Sequence, residues 1–234
     1  MNGSGCAAPV FSEEIMTNVP LSPRLAACAA FVRPGDRVAD VGCDHGYLSI
    51  HLLQKGIAGH VYASDVRQGP LGSARRNAAN YGLSGKIDFF LCDGVQGLPR
   101  DFDVLICAGM GADTMISILE AAPWLQGGNY RLIFQCQSKT PSLRKFFSEI
   151  GWEITRETAL RDGRFLYTVM EVLWNPAAPR LTPGQCYFSP ALARCNAPEA
   201  AEYRRWVVDL LRLAAKHRPE DEICQALAEL EETT

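Results

Sequence analysis

Three observations predict an α/β fold built on a mostly parallel, doubly wound sheet. Short apolar runs alternate with amphipathic helical stretches from about residue 22 to residue 151, the pattern of repeated βαβ units. The first run, Val38-Ala39-Asp40-Val41, opens straight onto a glycine-bearing turn, Gly42-Cys43-Asp44-His45-Gly46. The second, Val61-Tyr62-Ala63-Ser64-Asp65, ends in a carboxylate where nucleoside-binding sheets grip the ribose hydroxyls.

Taken in order, Ser22-Pro23 marks a helix start, Ser as N-cap and Pro at the first helical position, and Pro34-Gly35 stops that helix. The apolar run that follows suits a parallel strand buried on both faces. Gly42 and Gly46 lack a Cβ, so the chain can turn tightly and a ligand can approach the backbone. A helix from about Gly46 to Lys55 then directs its free N–H groups at that ligand. Pro70 to Tyr81 is the next helix, closed by Gly82. Ile87 to Leu91 is a strand ending at Cys92-Asp93-Gly94, and Phe102 to Cys107 a strand ending in a loop, Ala108-Gly109-Met110-Gly111-Ala112. A helix through Ile116 and Leu119, a strand from Arg131 to Cys136 and a helix from Thr140 to Gly151 complete the alternation. Trp152–Leu160 and Phe165–Trp174 then read as a hairpin closed by Arg161-Asp162-Gly163-Arg164, which brings the sheet to seven strands. Asn175 to Pro183, with three prolines, reads as a linker. Pro198–Lys216 and Pro219–Glu232 read as an antiparallel helical pair, with Trp206, Leu210, Leu213, Ile223, Leu227 and Leu230 as apolar positions.

Composition narrows the class. A formal charge of −3 argues against non-specific coating of nucleic acid but not against a local basic face. The candidates for one are Arg204, Arg205, Arg212, Lys216 and Arg218, followed by a final stretch with six acids and no Lys or Arg. Internal attraction between the two helices and an RNA-facing surface explain this segregation equally well. No apolar run approaches the ~20 residues of a membrane span. The nine cysteines include no C-x-x-C pair and several sit in predicted strands, which points to reduced thiols in the cytoplasm. His51, His60 and His217 lack ligand spacing, so no metal is expected.

Three details favour S-adenosylmethionine over a nicotinamide dinucleotide. Asp40 lies inside the strand end, where a carboxylate can reach an amino-acid ammonium. The dinucleotide fingerprint G-x-G-x-x-G is missing, because the series from Gly42 reads Gly42, Asp44, Tyr47, and Asp44 would repel a pyrophosphate. Asp93 is placed to contact an adenine amino group. Turn capping is the plainer account of any one acid, but it explains three acids on one sheet edge poorly.

Leu21-Ser22-Pro23-Arg24-Leu25, Asp40-Val41-Gly42-Cys43-Asp44-His45-Gly46-Tyr47-Leu48, Asp65 with Gly69-Pro70, Asp93-Gly94 and Ala108-Gly109-Met110-Gly111 occur in an order and spacing that resemble the TrmK family of bacterial tRNA (adenine-N1)-methyltransferases. The similarity extends through Gln135, Asp162-Gly163 before Tyr167, and the C-terminal helices; Ala112 stands where that family usually has glycine. The resemblance implies a Rossmann-like class I methyltransferase with a small C-terminal helical, coiled-coil-like domain, S-adenosylmethionine as cofactor, and adenine 22 of the tRNA D-arm as target. Its expected organisation is an arm over 1–20, a methyltransferase domain over 21–174, a linker over 175–186 and a helical hairpin over 187–234.

The expected cofactor wall is Asp40, Gly42, Asp44, His45, Gly46, Tyr47, Leu48, Asp65, Val66, Asp93, Gly94, Ala108 and Gly109. Asp44, His45, Gly109, Met110 and Gly111 are expected at the methyl-transfer end, and Arg24, Arg204, Arg205, Arg212, Lys216 and Arg218 at tRNA. Tyr47 and Tyr167 can stack on a base or simply pack. Adenine N1 needs no strong base, so the chemistry reduces to in-line placement, accommodation of product charge and extrusion of the base. Monomer or weak dimer is the expected state. A methyltransferase for a small molecule or protein, a non-catalytic RNA-binding module with a nucleoside-sensing site, and a dehydrogenase stay open as alternatives.

Overall fold

A computed structural model describes residues 18–217 and 221–232. Its sheet runs β3-β2-β1-β4-β5-β7-β6. The strands are β1 (Arg37–Val41), β2 (His60–Asp65), β3 (Asp88–Leu91), β4 (Val104–Gly111), β5 (Arg131–Ser138), β6 (Trp152–Asp162) and β7 (Phe165–Trp174). β1 to β5 are parallel, while β7 pairs antiparallel with both β5 and β6. The predicted doubly wound, seven-stranded sheet is therefore present.

Period-2 alternation splits the strand side chains between two cores. Val38, Val61, Ala63, Val104, Ile106 and Ile133 face α1 (Pro23–Ala29), α2 (Tyr47–Gln54) and α3 (Gln68–Asn80). Ala39, Val41, Leu105, Cys107, Leu132 and Phe134 face α4 (Ala112–Glu120) and α5 (Thr140–Ile150). Ser22 caps α1, its side chain accepting from the Leu25 N–H. Gly151, at φ +93°, ends α5.

The C-terminal part differs from expectation in two ways. The end of the segment read as a linker overlaps the start of α6 (Pro183–Tyr187), and α7 (Pro190–Ala193) follows before α8 (Pro198–His217) and α9 (Asp221–Glu232). The helical pair packs on the sheet: Tyr203, Val207, Val208, Leu211, Ala226 and Leu230 close over Ala159 of β6 and Leu192. Trp206, Leu210 and Leu213 are 48%, 45% and 58% exposed, so the buried face of α8 is not the predicted one. Helix-period counting found one of two apolar stripes and missed the one containing Tyr203.

A buried ion pair anchors this unit. Arg144 of α5 donates to Glu157 Oε1 of β6 at 2.6 Å and to the carbonyls of Cys186 and Tyr187 at 3.0 Å. Ser189, the N-cap of α7, donates to Glu157 Oε2 at 2.5 Å. Of the expected N-terminal arm, residues 1–17 lie outside the described residues. Val19 is buried, and its N–H donates to Gln54 Oε1 at 3.2 Å. No helix among the described residues is long and apolar enough to cross a membrane.

Candidate active site

The parallel strands β1 to β5 end at one rim, where helix starts and turns leave a cleft of about 430 Å³, within the usual range for small-molecule sites. The turn after β1 is pinned to its neighbour: the N–H groups of Gly42 and Cys43 both donate to the Ser64 carbonyl, at 2.8 and 2.9 Å. Gly42 sits at φ +71°, and a Cβ there would fall 2.1 Å from Met110 Cε, so the thioether of β4 lies directly across the turn. Asp44 also takes a positive φ, +49°; aspartate tolerates this better than most residues. The start of α2 has no side-chain cap, which leaves its first N–H groups available to a ligand.

Two carboxylates are buried in this rim. Asp65, 4% exposed, accepts the Asp44 N–H on Oδ2 at 3.2 Å and the Arg67 N–H on Oδ1 at 2.8 Å. Asp40, also 4% exposed, receives one side-chain hydrogen bond, from Ser49 Oγ at 2.6 Å. Burial pushes the Asp40 carboxyl up to about 6; the charge of Asp65 adds to the rise and the Ser49 bond opposes it. Ser64 Oγ donates to the Gly94 carbonyl at 2.9 Å, so the turn bearing Asp93 is held beside Asp65. Asp93 itself is exposed at the cleft.

The opposite wall comes from β4 and β5. The segment expected to be a loop is strand: β4 continues through Gly111, with a register shift against β5 at Ala108/Met110. The bulge has a visible cause. Gly109 adopts φ +79°, and its N–H donates to Oε1 of the fully buried Gln135 at 3.1 Å. A bulge re-aims neighbouring side chains, and here Met110 turns toward Gly42.

All of the expected cofactor wall lines the cleft except Gly46. A Cβ on Gly46 would meet Ala74 Cβ at 2.9 Å, so this glycine permits close packing of α3 and not ligand approach. At the methyl-transfer end, Asp44, His45, Gly109 and Met110 are on the wall and Gly111 is not. Gly111 is a strand residue beside Ser138, whose Oγ lies 2.9 Å from where its Cβ would be. His45 is exposed and stacks on Tyr47 at 5.9 Å.

The residues expected at tRNA do not form one group. Arg24 reaches the cleft wall, donating through Nε to Asp162 at 2.6 Å and lying over Tyr167 at 5.3 Å. Arg204 donates to the Leu230 carbonyl, and Arg212 pairs with Glu231 at 2.8 Å and Asp209 at 3.4 Å. For these two, attraction within the helical pair accounts for the charge pattern. Arg205 and Lys216 are exposed, and Arg218 lies outside the described residues. The wall also contains Ser22, Leu25, Cys92, Thr114, Ile118, Gln135 and Gln137, none of them anticipated as wall residues. Gln135 and Gln137 left a signal, two amides interrupting an apolar strand; Ser22 and Leu25 stood out only within the segment that carries the resemblance, because long-range packing brings them to the cleft. A second groove of about 960 Å³, between α6, α7, α8 and α9, is lined by four alanines, Phe188, Leu192 and Leu230 together with polar residues such as Gln185, Arg204 and Glu229, and lies away from these carboxylates.

A glycine turn after β1, acids after β2 and β3 and an open wall after β4 form the layout of a methyltransferase domain. The methyltransferase-domain family model matches residues 21–170, and the chain belongs to that family. The tRNA (adenine(22)-N(1))-methyltransferase of Bacillus subtilis is 29% identical over 156 residues, covering 66% of each protein. A Mycoplasma pneumoniae protein described as a tRNA methyltransferase by proposal is 32% identical over 159 residues, 65% of this chain and 71% of its own. Among solved structures, Streptococcus pneumoniae Sp1610, a proposed tRNA (m1A22) methyltransferase in complex with S-adenosyl-L-methionine, superposes with a TM-score of 0.78 at 30% identity, covering 90% of this chain and 99% of that one. Within the methyltransferases, the chain belongs to the TrmK family.

Proposed function

We propose that the protein transfers a methyl group from S-adenosylmethionine to N1 of an adenine in tRNA, adenine 22 of the D-arm. The observation that carries this reading is the pair of buried carboxylates, Asp40 and Asp65, facing one cleft. Arg67 Nε lies 3.7 Å from Asp65, whereas Asp40 forms no ion pair among the described residues; buried negative charge without a counter-charge is costly, and a ligand bearing a sulfonium and an ammonium would relieve it. A pyrophosphate would meet Asp44 at the turn and worsen it. S-adenosylmethionine, bound there, supplies an electrophilic methyl group.

The chain's own residues do the rest by placement. Asp65 retains lone pairs beyond the two backbone N–H groups it accepts, and these suit ribose hydroxyls. Asp40 offers its carboxylate to the ammonium. Val66, 66% exposed on the cleft wall, offers an apolar surface to the adenine ring of the cofactor. Ala108 and Gly109 leave room for a flat acceptor base. Adenine N1 is unprotonated at neutral pH and needs no base to make it nucleophilic, so orientation is the main requirement. His45 and Asp44 stand at the cleft mouth, where a carboxylate can accommodate the cationic product.

The eight cysteines among the described residues are free, which supports a reducing cytoplasmic setting. We read the working form as a monomer or weak dimer. The test is incubation with labelled S-adenosylmethionine and an unmodified tRNA transcript, followed by primer extension, which stops at a base methylated on its Watson–Crick edge. One stop at adenine 22 is expected. Label at another nucleotide, or none in RNA, overturns the assignment.

A further inference from the structure

The β6–β7 hairpin carries a surface that the methyl-transfer site does not use. β7 pairs with β5 only as far as Met170, whereas its pairing with β6 continues to Asp162↔Phe165. The tip of the hairpin, Phe165 to Tyr167 with its β6 partners Leu160 to Asp162, therefore forms a two-stranded arm beyond that pairing, while Thr168 and Val169 at its base stay buried. Because β7 is antiparallel to β5, the arm projects at the carboxyl end of β5, the same rim that holds the cleft.

The two faces of the arm differ. Leu166 and Ala159 pack into the core of the C-terminal helices. On the other face, Phe165 is 52% exposed and its ring lies 6.2 Å from that of the half-buried Tyr167. Each ring carries an arginine: Arg164 sits over Phe165 at 4.8 Å, and Arg24 over Tyr167 at 5.3 Å. Arg24 is itself a cleft-wall residue, tied to the arm by its 2.6 Å bond to Asp162. An aromatic strip with guanidinium groups thus runs from the cleft wall outward along the arm. Exposed rings give an unpaired base a stacking surface, and arginines beside them match the phosphates that must accompany it.

We infer that this arm is an RNA-binding element that stacks an unpaired nucleobase next to the methylated adenine on Phe165 and Tyr167, with Arg164 on the adjoining phosphate. The inference rests on the tRNA reading given above. It makes the arm, on the acceptor side of the cleft, the element that holds the RNA strand once the target base has left its stack.

The test compares wild type with Phe165→Ala, Phe165→Trp and Arg164→Ala, measuring KM and kcat on unmodified tRNA and cofactor affinity by calorimetry. Phe165→Ala is expected to raise KM for tRNA by roughly five-fold or more, the smallest effect typical of a lost base stack, with kcat and cofactor affinity preserved. Phe165→Trp should restore KM, which a purely structural role would not require of an exposed side chain. Arg164→Ala should raise KM and lessen its dependence on salt. Unchanged KM in Phe165→Ala alongside an active wild type overturns the role of the arm alone. A wild type that does not methylate tRNA overturns the underlying reading, and this inference with it. A concentration-dependent dimer abolished by Phe165→Ala, with KM unchanged, would reassign the strip to self-association.

Discussion

Two buried carboxylates in this molecule sit in opposite circumstances. Glu157, between the sheet and the C-terminal helices, is fully satisfied: Arg144 donates to one oxygen from Nε and Nη2, and Ser189 donates to the other. Asp40, at the cofactor rim, has the Ser49 hydroxyl and forms no ion pair among the described residues. Its carboxyl is pushed up to about 6 by burial. The first acid is neutralised by the chain and holds two parts of the fold together. The second is left short of a partner at the one place where a cationic ligand is expected. A buried charge with a resident partner reads as structure, and one without reads as a site.

The sharpest way to break this comparison is at Arg144. Arg144→Met leaves Glu157 buried without a counter-charge, a loss of about 3–5 kcal/mol. For a chain of this size that corresponds to a fall in Tm of roughly 6–20 °C, read by thermal melting. Cofactor affinity in the folded variant should be unchanged, since Arg144 is not part of the cleft wall. An unaltered Tm would mean that the pair holds nothing together. Truncating the chain at Tyr187 is a poor substitute, because it removes Ser189 and the covering of Ala159 along with any RNA contact.

Asp65→Ala reverses the pattern. Charge-assisted hydrogen bonds contribute about 1.5–3 kcal/mol each, so cofactor affinity should fall at least about ten-fold by calorimetry. The fold should survive, losing the caps on the Asp44 and Arg67 N–H groups and the 3.7 Å pairing with Arg67 Nε. Undiminished affinity would dismiss Asp65 as a ribose clamp.

Asp40 adds a pH signature. Its folded-state value, about 6, lies above the ordinary 3.8. The free protein therefore gains stability from the protonated form, fully below about pH 3.8, and loses it as pH rises through about 6, by roughly 3 kcal/mol at most. Binding of a cation favours the carboxylate, so cofactor affinity should weaken as pH falls below about 6, with proton release on binding near that pH. Asp40→Asn should flatten both profiles, making the free protein more stable at pH 7.5 while weakening the cofactor. Matching pH profiles in Asp40→Asn and wild type would contradict this account.

The difference between the two acids also explains what was legible in the sequence. Asp40, Gly42, Asp65 and Asp93 are local signals, each at the end of an apolar run, and the turn chemistry that positions them lies within a few residues of each. The sheet alternation was legible for the same reason. Glu157 and Arg144 gave no such signal, being an acid in an edge strand and a base in an amphipathic helix, and the packing of α6, α7 and Tyr203 of α8 buries them. The bulge at Gly109 was hidden likewise, since Gly109 reads as loop until Gln135 from the next strand holds its N–H. Misreading α8 has another cause. Two apolar stripes run along it, and sequence alone could not say which one Ala159 and Leu192 would cover.

The smallest effect tests the charges of the C-terminal helices. Arg212 lies with its side chain 54% exposed between Glu231 and Asp209. Exposed pairs of this kind contribute about 0–1 kcal/mol, so Arg212→Ala should shift stability by less than about 1 kcal/mol in a denaturant melt. Its charge is already shared with two acids, so tRNA affinity should barely change. Arg205→Ala with Lys216→Ala removes exposed charges that form no ion pair among the described residues and should lower the salt dependence of tRNA binding. If Arg212→Ala weakened tRNA binding as much as that double variant, the ion pairs with Glu231 and Asp209 would have to open for RNA. The helical pair would then resemble the cofactor rim, with its charges held for a ligand and not for the fold.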